Sequence, residues 1–248
     1  MTQHQVVSRE EWRAARLNLL AKEKELTRLN DALSAARRDL PWVKVDKPYI
    51  FEGLNGRETL SDLFGGRSQL IVYHFMFAPG WEEGCSGCSF FTDQIDGPRQ
   101  HLMHHDVTMA LISRAPLNEF AAFKKRMGWQ VPWLSSHGTD FNADFGVVFS
   151  KEQIEKGEID YNFGTITTDK RYMSEDLPGI SVFYKAPDGS IFHTYSAYAR
   201  GLDALMNSQH FLDITPKGRN EWSATGELID WVRYHDKYDD GKAVACCA

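Results

Sequence analysis

Leu70-Ile71-Val72-Tyr73-His74-Phe75-Met76-Phe77 and, after a short connection, Cys85-Ser86-Gly87-Cys88-Ser89 decide how the rest of the chain is read. The first string is an apolar run of strand length. The second is a CxxC dithiol, and the residues from about Ser89 onward carry a helical pattern. A dithiol at a helix N-terminus faces unpaired backbone N–H groups and the positive end of the helix dipole, which favour thiolate over thiol. Two intervening residues let the second sulfur reach the first, so a mixed disulfide on Cys85 is within reach of Cys88. This pattern favours redox chemistry over a structural bridge.

Upstream, Ser8-Arg9-Glu10-Glu11 has the form of a capping box and opens a helix reaching about Arg38, stopped by Pro41. Trp12, Ala15, Leu19, Leu26, Leu29, Leu33 and Ala36 fall on one heptad-like seam interrupted by Lys22. Such a seam either lies on its own domain or zips against a second chain, giving a homodimer. Asn55-Gly56 turns a hairpin between the runs Tyr49-Ile50-Phe51 and Glu58-Thr59-Leu60.

Downstream, a helix to about His104 with a break at Gly97-Pro98, a strand Val107 to Ser113 and a helix from Pro116 to Gly128 continue a strand–helix alternation. The hairpin of Ile180 to Tyr184 and Ile191 to Tyr195, turned at Asp188-Gly189, closes the sheet. The expected class is α/β, a central mixed sheet flanked by helices. The boundaries read as an N-terminal helical arm (1–45), a core domain (46–205) with an inserted polar excursion (about 151–175), and a C-terminal extension (206–248). That extension is expected to be helical over 217–238 and to end in a mobile tail bearing Cys246-Cys247.

Length (248 residues), hydrophobic content (42%) and charged content (25%) fit one well-buried core with decorations. The polar Met1 to Val7 and the lack of a long apolar run argue for no signal peptide and no membrane partner, so the chain reads as cytoplasmic. With a net charge of −6 and scattered basic residues, no nucleic-acid partner is expected; Lys124-Lys125-Arg126 reads as a solvated helix face.

From Pro48 to Arg200 the succession of elements resembles the thioredoxin superfamily in its peroxiredoxin-like branch. The resemblance rests on Asn55-Gly56 to Leu63, the CxxC, Ser113-Arg114-Ala115-Pro116, Met127 to Ser135, Asp144-Phe145-Gly146-Val147 and the Pro178 hairpin. Further strings extend the likeness over nearly the whole chain to one bacterial family, domain of unknown function 899. They are Tyr73 to Phe77, Cys85 to Phe91, Ser135-Ser136 with Asp140-Phe141-Asn142, His193 to Ser196, Tyr198 to Gly201 and Leu212 to Arg219. The resemblance implies a thioredoxin-like fold, Cys85 as attacking thiol, Cys88 as resolving thiol, and Pro178 as a cis-proline presenting backbone, with Gly179, to a bound substrate. The chain departs from the thioredoxin motif in Gly84 before the first cysteine and Ser86-Gly87 between the pair. It departs from the peroxiredoxin motif in Ala78 and Glu82, where that family has Pro and Thr.

Other residues near the motif carry competing readings. His74 is a candidate proton acceptor for the resolving thiol or a buried, backbone-bonded histidine. Should His193 converge with it on the dithiol, a soft-metal site would form. Glu82 and Glu83 would raise the thiol pKa values and partly offset the helix effect. Trp81 is expected to bind substrate and, with Trp133, to form an apolar rim, or else both pack in the core. His101, His104, His105 and Asp106 look metal-like but fall at a helix end. Asp140-Phe141-Asn142, Tyr195, Tyr198 and Arg200 are candidate cleft residues or ordinary turn and edge residues.

The expected function is a thiol–disulfide oxidoreductase, with peroxide reduction as a variant on the same two sulfurs. Its substrates would be an oxidised protein or small-molecule thiol, or peroxide. No bound cofactor or metal is assigned, and an external dithiol reductant is required. The alternatives are a non-catalytic metal-binding or redox-sensing protein, and a scaffold whose long helix recruits a partner.

Overall fold

Ser8 opens α1 (Arg9–Arg38) with a complete capping box: its hydroxyl accepts from Glu11 N–H (3.2 Å) while the Glu11 carboxylate accepts from Ser8 N–H (2.9 Å). Arg37 and Arg38 favour the dipole in the last turn, and Pro41 lies beyond the end. The computed structural model describes residues 4–167, 174–219 and 231–238. The chain forms two compact units, Met1–Pro41, which holds α1, and Trp42–Ala248.

Among the described residues the second unit is built on ten strands: β1 (Val43–Lys44), β2 (Ile50–Gly53), β3 (Gly56–Thr59), β4 (Gln69–His74), β5 (Val107–Ser113), β6 (Trp133–Ser135), β7 (Glu158–Tyr161), β8 (Gly164–Thr167), β9 (Gly179–Lys185) and β10 (Ile191–Tyr198). Eight of them form one sheet in the order β1-β10-β9-β4-β5-β6-β2-β3. Parallel β4, β5 and β6 are joined by crossovers through α2 (Ser86–Ile95), α3 (Arg99–His104) and α4 (Leu117–Met127), while the β9–β10 hairpin runs antiparallel on the other side of β4. A central strand leading into the dithiol, a parallel neighbour reached by a helical crossover and an antiparallel hairpin opposite constitute the thioredoxin-like fold.

Successive side chains of β4 point to opposite faces, so the sheet has two cores. On one face Tyr73, Phe75, Cys88, Phe91, Phe120, Phe123 and Trp133 are buried together; on the other lie Leu70, Val72, Ile112, Phe141 and Phe183. Trp133 stacks on Phe120 (4.6 Å between centroids), packs at 4.5 Å from Phe75, and donates its indole N–H to the Ser113 hydroxyl (2.9 Å). That hydroxyl donates to the Phe75 carbonyl (2.7 Å), which fixes the strand end from which the dithiol loop departs.

The polar excursion has its own order. It holds α6 (Lys151–Lys156) and the β7–β8 hairpin, and Ile159 and Tyr161 alternate inward with Glu158 and Asp160 outward to join Val147, Phe149 and Tyr198 in a third cluster. The second unit also holds two short helices, α5 (Phe141–Asp144) and α7 (Asn207–Asp213); the latter was not anticipated from sequence. Of the helix expected over 217–238, residues 220–230 lie outside the described residues and residues 231–238 form turns and irregular chain. Cys246 and Cys247 also lie outside the described residues.

Among the described residues no helix is long and apolar enough to cross a membrane. Nor do three His, Cys, Asp or Glu side chains come together among them as a metal site; His101 and His104 stand in the last turn of α3.

Candidate active site

After His74 the chain leaves the ladder but stays extended through Phe77, held by Phe75 N–H to the Ile112 carbonyl (2.9 Å) and Ala115 N–H to the Phe77 carbonyl (3.0 Å). It then turns back so that Cys85 N–H reaches the Met76 carbonyl (3.2 Å). Cys85 is the N-cap of α2, so the helix begins three residues earlier than Ser89 and takes Cys88 into its first turn. In that turn both the Ser89 N–H and its hydroxyl donate to the Cys85 carbonyl (2.9 Å each).

The two sulfurs have opposite environments. Cys85 is half-buried, and its pKa is brought down to about 7 by a hydrogen bond from the Cys88 thiol, opposed by burial and aided by the Cys88 and Gly87 N–H groups of the helix start. Cys88 is 2% exposed, and burial and then the adjacent Cys85 push its pKa well above the ordinary value. As pH rises through about 7 the first proton therefore leaves Cys85, while Cys88 keeps its own. Two donors face the Cys88 sulfur, the Met76 N–H (3.5 Å) and the Tyr73 hydroxyl, and both favour its thiolate when it forms. Tyr73 was missed in the sequence reading; its signal was a tyrosine inside an otherwise apolar strand, where the hydroxyl needs a partner.

A cavity of about 230 Å³ opens on this pair. Tyr73, Cys85, Cys88, Phe91, Pro178 and Met206 form part of its lining, with Arg200, Asp203 and Gln209 as the polar groups. Asp203 accepts from Arg200 (2.7 Å) and from Arg219 (3.3 Å), so the rim carries an ordered charge cluster.

Several expected site residues are placed differently. The Leu177–Pro178 peptide is trans, since the described residues contain no cis bond. Pro178 does line the cavity, and its carbonyl already accepts from the Tyr161 hydroxyl (2.6 Å). Gly179 begins β9 and does not line the cavity; a Cβ there would stand 2.6 Å from the Tyr198 ring, so its role is close packing. Trp81, 37% exposed, stands beside Phe77 and is not in the cavity lining, and Trp133 is interior core.

His74 points to the face opposite Tyr73 and Phe75, so it is no proton acceptor for Cys88. Its Nε2 meets the Ser181 hydroxyl (2.9 Å), which meets the Ser196 hydroxyl (3.1 Å), which meets His193 Nε2 (2.8 Å). The two histidines thus converge on a serine pair and not on the dithiol. Burial brings His74 down to about 3 and lowers His193 as well, so both are neutral near pH 7. Of the suggested cleft residues, Arg200 lines the dithiol cavity, whereas Asp140 binds Lys47 (2.8 Å), Phe141 is core and Tyr198 donates to the Phe145 carbonyl (2.8 Å).

Glu83 does not burden the thiolate as expected. Lys237 (2.7 Å) and Arg126 pair with its carboxylate and hold it below the usual range. Tyr234 donates to the Gly84 carbonyl (2.6 Å), so residues 231–238 brace the residues leading into Cys85. Gly84 itself answers for the missing tryptophan: a Cβ there would stand 2.5 Å from the Phe75 ring and 3.1 Å from Phe123. Gly84→Ala is expected to lower stability by about 1–3 kcal/mol through overpacking, read as a lower urea midpoint at unchanged slope. An unshifted midpoint would show that the Phe75 ring moves aside.

The family described as "Bacterial protein of unknown function (DUF899)" matches residues 1–238. No curated protein sequence matches. Among solved structures, peroxidoxin BcpB from Mycobacterium tuberculosis is similar at 14% identity and a TM-score of 0.45, over 68% of this chain and 95% of that one. The bacterioferritin comigratory protein of Xanthomonas campestris gives 13% and 0.44 over 69% and 96%, and PrxQ of Xylella fastidiosa 12% and 0.41 over 67% and 89%.

Proposed function

Because the chain belongs to the bacterial family DUF899, whose description leaves activity open, we propose its function from its own dithiol: a thiol–disulfide oxidoreductase with Cys85 as nucleophile and Cys88 as resolving thiol. The observation that carries this reading is the division of charge between the two sulfurs, a half-buried Cys85 brought down to about 7 at a helix N-cap and a buried, protonated Cys88 bonded to it.

In the first step the Cys85 thiolate attacks one sulfur of a substrate disulfide, forming a mixed disulfide and expelling the other sulfur as a thiolate. Cys88 then loses its proton to that leaving thiolate or to water while Tyr73 and the Met76 N–H stabilise the developing charge. It attacks Cys85, expels the second substrate thiol and closes the Cys85–Cys88 disulfide. The substrate gains two electrons, the protein loses two, and an external dithiol returns them. With peroxide as oxidant, the Cys85 thiolate attacks one oxygen, the O–O bond breaks and the other oxygen leaves as alkoxide or hydroxide and takes up a proton; the sulfenic acid on Cys85 then condenses with the Cys88 thiol, releasing water. The cycle requires a reducing compartment such as the cytoplasm.

The rate at which reduced protein reacts with a small model disulfide tests this reading across pH. Only the thiolate reacts, so the rate is low below the Cys85 pKa and rises as pH passes it. The expected midpoint is about 7; a midpoint at or above the free-cysteine value of about 8.5 would overturn the assignment of Cys85 as an activated thiol.

A further inference from the structure

The helix α1 is 30 residues long and contains no buried residue. Trp12, Leu19, Leu26 and Leu33 recur at seven-residue steps, and Ala15, Lys22, Leu29 and Ala36 stand three residues after each of them. These are the a and d positions of four consecutive heptads. The large members are all exposed: Trp12 59%, Leu19 51%, Leu26 57%, Leu29 61% and Leu33 49%. A seam this regular and this apolar has the form of one strand of a two-stranded coiled coil.

The flanking residues say what the second strand is. The g positions hold Glu11, Asn18, Glu25 and Ala32, and the e positions Arg16, Glu23, Asn30 and Arg37. In a parallel, in-register pair of two α1 helices each g residue faces the partner's e residue five places on. Glu11 then meets the partner's Arg16, Asn18 the partner's Glu23, Glu25 the partner's Asn30 and Ala32 the partner's Arg37. Of these flanking pairs one attracts and none repels, while in the seam Lys22 faces the partner's Lys22, the one like-charged contact of this arrangement. Full-length antiparallel pairing instead sets Glu23 against Glu23, Glu25 against Glu25 and Arg9 against Arg37, which are all like-charged. Arg16 bridges to Glu23 within its own helix (2.9 Å) and Glu11 accepts from Ser8 N–H (2.9 Å), so attraction across the pair is modest. One like-charged contact in the parallel pair against three in the antiparallel one sets the direction. Lys22 is the one charged seam residue; its stem covers apolar surface while its ammonium reaches toward the partner's Glu23, fixing register at a cost in stability.

We propose that α1 pairs with α1 of a second copy of this chain as a parallel, in-register coiled coil. The test uses the full-length protein and light scattering coupled to size exclusion at micromolar concentration. The wild type is expected at twice the 28.3 kDa of one chain. Leu26→Glu is expected to return it to the single-chain mass with the thermal unfolding of the second unit unchanged. Lys22→Leu, which completes the seam, is expected to tighten the dimer by roughly tenfold or more. Direction is read from Leu29→Cys under mild oxidation: parallel pairing places the two introduced thiols side by side, so peptide mass spectrometry is expected to find them cross-linked to each other. A single-chain mass for the wild type, a dimer that survives Leu26→Glu, or a Leu29→Cys protein that dimerises without that cross-link would each overturn the proposal.

Discussion

Protein carrying Cys88→Ser, incubated with a small disulfide, is expected to accumulate a mixed disulfide on Cys85 close to one per chain, whereas Cys85→Ser accumulates none. The geometry makes the two substitutions unequal. Cys85 holds the charge and faces the cavity, so serine there removes the attacking group, and turnover is expected to fall by roughly a thousandfold or more. Cys88 enters only after the mixed disulfide has formed; without it the adduct is stranded. Cys88→Ser keeps a hydroxyl donor beside Cys85, so the attacking thiolate is retained while its product is trapped. Intact-mass spectrometry resolves both outcomes. Trapping on Cys88 in the Cys85→Ser protein would exchange the roles of the two residues, and undiminished function in Cys85→Ser would leave α1 as the functional element of a scaffold.

Trp133→Ala is expected to destabilise the protein by about 3–5 kcal/mol. The ring is 2% exposed, stacks on Phe120, contacts Phe75 and anchors Ser113 through its N–H. Its loss leaves a cavity flanked by rings from the segment after β4, from α4 and from the loop before β6, elements that cannot all close on it together. The effect should reach the site as well, because Ser113 holds the Phe75 carbonyl and Phe75 packs beside Gly84. Chemical denaturation measures the first effect and the Cys85 pH profile the second. A loss below about 1 kcal/mol would mean that the aromatic cluster repacks freely.

The dithiol and its setting were legible because they are local: an apolar strand, a turn and a helix start occupy adjacent stretches of sequence. The mixed sheet followed from strand–helix alternation and the Asp188-Gly189 hairpin, and its thioredoxin-like form from the resemblance. The placement of His74 was legible in principle, since a period of two puts residue 74 opposite 73 and 75, and Tyr73 was available by the same count. The environment of Cys85 was not, because it is assembled from distant segments. Glu83 is neutralised by Arg126 and Lys237, and Gly84 is confined by Phe75 and Phe123. Pro178 occupies the place the resemblance gave it, yet its peptide is trans and its carbonyl accepts from Tyr161 of the excursion read as polar insertion.

The central claim is that Cys85 and Cys88 form a reversible redox couple, and thiol trapping with peptide mass spectrometry across a graded dithiol/disulfide buffer measures that directly. The account predicts a Cys85–Cys88 disulfide that opens and closes at a single midpoint, absent from both serine variants. A pair that stays reduced throughout, or that closes only under conditions that unfold the protein, would contradict it.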